Sequence, residues 1–121
     1  MAVNIYSLPT ANVSIINNTS SNATAHTDLS NGPAVVKSVV INNVANAAQN
    51  EHFKLYNSAS PTVGTTAPEC ILFATAGQQI EYIFSNGVSF SSYVSSACTQ
   101  QGGTAGVTNP TNPVNTYIQL G

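Results

Sequence analysis

Apolar and polar positions alternate in twos along several short stretches of the chain, a period that places successive side chains on opposite faces of a strand. Over 79–84, Ile80, Tyr82 and Phe84 oppose Gln79, Glu81 and Ile83. That is a half-buried strand. Val88 and Phe90 resume the alternation after Asn86-Gly87, and because both of those residues tolerate positive φ, the pair predicts a hairpin at 86–87. At the C-terminus, Val114, Thr116, Ile118 and Leu120 oppose Asn115, Tyr117 and Gln119, which reads as a closing strand. Over 52–57, Phe53 and Leu55 face one way and His52, Lys54 and Tyr56 the other. Val35–Val44 is too dense in β-branched residues for two distinct faces, as expected of a strand covered on both sides or carrying a bulge. Cys70–Ala74 is a short apolar strand that ends at Ala76-Gly77.

Turn chemistry separates these runs. Asn31-Gly32-Pro33 marks one turn, and Pro61, Gly64 and Pro68 make Ser58–Pro68 a loop. Helical spacing is absent except over Val44–Ala48, which has room for a single turn. Short strands at regular spacing predict an all-β fold, a single antiparallel β-sandwich of jelly-roll-like or Ig-like type. Residues 1–30 differ from the rest in their density of Asn, Ser and Thr (Asn17 to Asn22), with one strand expected at Val13–Ile16. They read as a polar N-terminal arm with an edge strand, and 31–121 as the sandwich domain. Gln100–Pro113 is a long Gly, Thr, Asn and Pro loop without periodicity, and loops of that length are usually functional or mobile. The arm and this loop are the candidate contact segments.

Composition changes the picture most through charge. At 121 residues the chain suits one domain, yet only Lys37, Lys54, Asp28, Glu51, Glu69 and Glu81 carry full charges, 5% of positions where about 25% is usual. Asn, Ser and Thr fill 42 positions instead. Two cations cannot displace the counterions of a nucleic acid, so that partner class is excluded. No apolar run approaches the roughly 18 residues of a membrane helix, and Met1–Thr10 lacks the charged-apolar-small order of a signal peptide. A soluble, non-exported protein with no membrane partner is expected. The 42% of hydrophobic residues argues for a folded chain. A surface of neutral amides and hydroxyls suits permanent contact with other chains, because burying an unpaired ion costs several kcal/mol and neutral hydrogen bonds are little affected by salt.

Candidate chemistry is sparse. Acid–base groups are limited to Asp28, Glu51, Glu69, Glu81, His26 and His52, with Glu81 on a solvent face and Glu69 at a strand start. His26 and Asp28, two apart, could share a face and with His52 form a two-His, one-carboxylate set. No motif spacing supports it, and no GxSxG accompanies the serines. Gln101-Gly102-Gly103-Thr104-Ala105-Gly106 resembles a phosphate loop only in composition and lacks the Lys. The four Asn-x-Ser/Thr sites at Asn12, Asn17, Asn18 and Asn22 match chance for so much Asn, Ser and Thr. Cys70 and Cys98 stand 28 positions apart, either paired, which would add roughly 3–4 kcal/mol, or buried as free thiols. No catalytic, cofactor-binding or metal-binding residue and no cofactor is expected, and the protein reads as no enzyme.

Three segments read together carry a family resemblance. Phe53-Lys54-Leu55-Tyr56-Asn57, then Ala59-Ser60-Pro61-Thr62-Val63-Gly64-Thr65-Thr66-Ala67-Pro68, then Gly87-Val88-Ser89-Phe90-Ser91 resemble small bacteriophage virion proteins, which show a KLY strand, a PxxGTxxP loop, a strand ending near Ala-Gly and a GxxF strand start. The likeness covers roughly Val35 to Thr99 and continues weakly to Val114–Leu120. It departs after Thr99, where relatives have an Asp-containing loop and Gln100–Pro113 holds no acid. The resemblance implies a capsid cement (decoration) protein, made in the host cytoplasm and seated on the outer capsid surface of the virion. It would bind neighbouring major capsid proteins as a homo-oligomer such as a trimer. The competing expectation is a tail or fibre β-sandwich module binding a host surface glycan, against which stand the absence of Trp and the scatter of Tyr56, Tyr82, Tyr93 and Tyr117 over the strands.

Overall fold

A computed structural model describes residues 3–8 and 13–121. Eight strands follow one another: β1 (Val3–Leu8), β2 (Val13–Ser21), β3 (Ala34–Asn42), β4 (Glu51–Tyr56), β5 (Cys70–Ala74), β6 (Gln79–Phe90), β7 (Ser95–Thr99) and β8 (Val114–Leu120). They form a five-stranded sheet in the order β1-β2-β8-β3-β6 and a three-stranded sheet in the order β5-β4-β7, with every pairing antiparallel. The fold is all-β, and the two sheets pack as a sandwich. No described residue is helical; Val44–Ala48 forms turns, with the Asn46 amide on the Asn43 carbonyl and the Gln49 amide on the Asn46 carbonyl.

The two-residue period explains which sides meet. Ile16, Val36, Val39, Ile41, Val114, Ile118 and Leu120 of the large sheet face Phe53, Leu55, Leu72, Ala74 and Cys98 of the small one in a single buried cluster. Leu29, Phe90 and Val94 close its ends. β8 keeps the alternation read from its sequence, buried at Val114, Thr116, Ile118 and Leu120. As the closing strand it is inserted between β2 and β3, so the C-terminus lies in mid-sheet. β3 carries a bulge, its register shifting between Val36 and Ser38.

The expected hairpin at 86–87 is not there. β6 runs unbroken from Gln79 to Phe90, and both halves pair with β3: Ile83 lies opposite Ser38, and Val88 opposite Val36. The surplus residues Phe84–Gly87 stand against Lys37 alone. Gly87, at φ +73°, supplies a bulge where the same conformation could have supplied a turn. A Cβ there would lie 2.3 Å from Val35 Cγ1. Gly87→Ala therefore combines left-handed strain with overpacking, and a loss of about 2–4 kcal/mol is expected in urea unfolding, against less than about 1 kcal/mol for Ser85→Ala on the exposed face of the same bulge.

The N-terminal stretch also differs from an arm with an edge strand at Val13–Ile16. β2 extends to Ser21 and lies inside the sheet, between β1 and β8, with Ile16 fully buried. The edge position falls to β1. Residues 22–29 then run antiparallel along β7, with the Cys98 amide on the Asn22 carbonyl, mutual bonds between His26 and Ser96, and the Leu29 amide on the Val94 carbonyl. Met1, Ala2 and 9–12 lie outside the described residues.

Candidate functional site

β4 is the centre of the small sheet, and its two faces carry unexpected residues. Glu51 shares the parity of Phe53 and Leu55 and so points into the sandwich, where it is fully buried. Neither carboxylate oxygen has a hydrogen-bond partner. Burial pushes this carboxyl up to about 7 from its usual 4.5, so at neutral pH the group is poised between neutral and charged forms. The Cys98 thiol is driven far upward by burial first and then by the adjacent Glu51 charge, with Lys54 opposing. Burial and Glu69 raise Cys70 to about 11. Both cysteines are free. They sit on different strands with β4 between them, Cys70 opposite Leu55 and Cys98 opposite Phe53. Two strand spacings, roughly 9–10 Å, exceed the reach of a disulfide.

His52, Lys54 and Tyr56 occupy the opposite face, and the loop 100–113 meets it at His52 and Lys54. The Lys54 ammonium donates to the Gly106 carbonyl at 2.9 Å and is fully buried; burial lowers its pKa. His52 Nδ1 meets the Gln100 carbonyl at 3.0 Å, and its ring stands 5.4 Å from that of Phe73 in edge contact. Gly102 lies so close that a Cβ would come within 3.0 Å of the imidazole. The loop is pinned at its far end by amides: the Thr111 amide donates to Gln49 Oε1, the Asn112 amide to Asn46 Oδ1, and Asn112 Nδ2 to the Ala45 carbonyl. Asn43 and Asn46 are themselves buried. Part of the Asn excess thus works as internal staples, a use that a neutral outer surface does not require.

The covered face leaves a charge-free exterior. Val107 at the loop is 56% exposed, with Phe73 and Ile71 of β5 at 42% and 38% beside the same face. Glu69 marks its rim, where its amide bonds the Leu55 carbonyl. Because Glu51 and Lys54 are internal, only Asp28, Glu69, Glu81 and the half-buried Lys37 remain to charge the whole surface.

The acid and histidine groups singled out in the sequence do not converge. His26 faces Ser96 and His52 pairs with Thr99, three residues further along β7 and on its other face. Roughly 10 Å of strand separates those positions. His26 accepts from Asn18 Nδ2 at 2.9 Å through Nδ1, and burial lowers its pKa, which keeps the ring neutral. His26 and Asp28 do line one groove of about 380 Å³ with Val3, Ile5 and Leu29, and His52 is not in it. Among the described residues no three of His, Cys, Asp or Glu are grouped to hold a metal ion. In the Gly-rich segment 102–106, Gly102 packs on the His52 ring and the Gly106 carbonyl takes the Lys54 ammonium. Of the tyrosines expected to be scattered, Tyr56 is buried, Tyr82 donates to the Phe73 carbonyl, and Tyr117 lies on the outer face of the large sheet.

No family model, curated protein or solved structure matches the chain. The comparisons add nothing to the resemblance drawn from the motif residues Phe53–Asn57, Pro61–Pro68 and Gly87–Ser91. In the structure these occupy β4, the turn in which the Thr65 and Thr66 amides bond the Thr62 carbonyl, and the bulged end of β6.

Proposed function

We propose that this protein is a structural component of a bacteriophage virion, a cement (decoration) protein on the outer capsid surface that binds neighbouring major capsid proteins. The observation that carries the reading is the loss of two of six charges to the interior: fully buried Glu51 and Lys54 leave four ionic side chains on 5825 Å² of surface. A surface so poor in charge gives up little hydration when it is covered. The Gln100–Pro113 loop is the contact, with Val107 at its exposed crest and Phe73 and Ile71 alongside. Its internal bonds hold it before binding, which lowers the entropic cost of docking.

Stoichiometry tests the assignment. Intact particles should contain this chain in a ratio near one to the major shell protein, read from stained gels or quantitative mass spectrometry. They should retain it in about 1 M salt, since neutral contacts are weakly screened. A handful of copies per particle would transfer it to the tail, where a glycan-binding module belongs, and complete release by salt alone would contradict neutral docking.

A further inference from the structure

Sheet edges are open templates for further strands, and among the described residues all of the edges but one are closed. The outer edge of β7 is taken by residues 22–29 through their backbone bonds to Val94, Ser96 and Cys98. β5 has five residues, and its edge is tied up by the Tyr82 hydroxyl on the Phe73 carbonyl and by Asn43 Nδ2 on the Ala74 and Thr75 carbonyls. β6 is continuous but bulges at Gly87, and it carries Glu81. These are the usual devices against edge-to-edge pairing. β1 has none of them. It is a terminal strand of its sheet, pairs only with β2 among the described residues, and contains no charge, proline or bulge across Val3–Leu8.

We infer that β1 is a homodimer interface, joining antiparallel to β1 of a second copy to make one continuous ten-stranded sheet. The inference goes beyond the virion reading and holds wherever the protein works. Three observations select a second copy. No Lys, Arg, Asp or Glu occurs within Val3–Leu8, so paired β1 strands set no like charges opposite one another, and Asp28 lies across the groove from Val3 and Ile5. Val3 and Ile5 pair with Asn18 and Ile16, and Val3 packs against the core, yet Ile5 is 56% exposed beside the groove formed with 24–29. Pairing about a two-fold axis through Ile5 sets it against its own copy and keeps like faces together, as the strand period demands. Finally, with the other edges closed, β1 finds only β1, so association stops at two chains and no filament grows. The symmetry is two-fold, unlike the trimer that the family resemblance implies.

Light scattering on the full chain should give about 25 kDa, twice the 12.5 kDa of one chain. Ile5→Lys, an edge lysine of the protective kind, should return the mass to a single chain with an unchanged far-UV spectrum. Ile5→Cys should cross-link to a dimer under mild oxidation, since opposed Cβ atoms stand about 4.5–5.5 Å apart, while Ile83→Cys, on the exposed face of β6, should not. If Ile5→Lys does not fold, the cysteine pair decides. A wild-type mass of one chain, or of three or more, overturns the proposal, as does a dimer that survives Ile5→Lys or links through residue 83 and not residue 5. None of these outcomes alters the copy number in particles, which tests the virion assignment separately.

Discussion

Replacing Glu51 by Leu should make the protein more stable at pH 8 by about 3 kcal/mol and leave it little changed at pH 4. The carboxyl lies inside the sandwich with both oxygens unpartnered, and burial moves it from its usual 4.5 to about 7. Below 4.5 the group is neutral in the folded and the unfolded chain, and ionisation costs the fold nothing. Between 4.5 and about 7 the unfolded chain ionises first, so stability falls as pH rises. Above about 7 the folded chain ionises too and the loss levels off, at about 1.4 kcal/mol for each pH unit between the two values. His26 acts in the opposite sense: its pKa is lowered by burial, so its contribution is lost as pH falls below 6.5. The Glu51 signal is therefore read as the difference between variant and wild type. Urea unfolding from pH 4 to 8 should show the two curves diverging through pH 5–7, and Glu51→Gln should also flatten the slope. A wild-type profile parallel to that of Glu51→Leu across the window would mean that water or a rearranged neighbour solvates the carboxylate.

How much of this was legible in the sequence depends on whether a feature is local. The faces of β6 and β8 follow from alternation alone, because Ile80, Tyr82 and Phe84, and likewise Val114, Thr116, Ile118 and Leu120, obey the pleat whatever the strand pairs with. Pairing is not local. Asn86-Gly87 signals a positive φ, and a bulge uses that conformation as well as a hairpin does; only the choice of β3 as partner to both halves decides between them. β1 went unread because Val3–Leu8 is short, mixed and followed by Pro9, and its pairing to β2 supplies what propensity lacks. The parity of 52–56 was visible, but parity told nothing of exposure. Lys54 lies on the outward side and is buried because a loop some 50 residues away in sequence folds across it. The scarcity of charge was plain from composition. That two of the six charges are internal, and that buried Asn43 and Asn46 serve as staples, needed the tertiary structure.

The same loop carries the second large effect. Lys54→Ala should destabilise the protein by about 3 kcal/mol and loosen 100–113, whereas Lys54→Met should cost under about 1 kcal/mol. Truncation to Ala removes a fully buried four-carbon stem from between β4 and the loop, a cavity loss in the range found for long apolar side chains. It also strips the Gly106 carbonyl of its donor. Met preserves the stem and discards the ammonium, and taking the buried charge off the Gly106 carbonyl and out of the interior recovers desolvation energy that offsets the bond. Hydrogen exchange should place the change: the Gln100 and Thr108 amides, bonded to the Thr108 carbonyl and Gln101 Oε1, should exchange faster in Lys54→Ala than in Lys54→Met, with the β3 and β8 amides unaffected. Equal losses in the two variants would put the anchoring in the ammonium–carbonyl bond and not in the stem. Because the proposed capsid contact is this loop, held in shape before it binds, Lys54→Ala should also leave particles more readily than wild type while Lys54→Met stays bound. Capsid occupancy would then follow the order of the loop and not the charge at residue 54, the behaviour required of a contact made by shape and neutral hydrogen bonds.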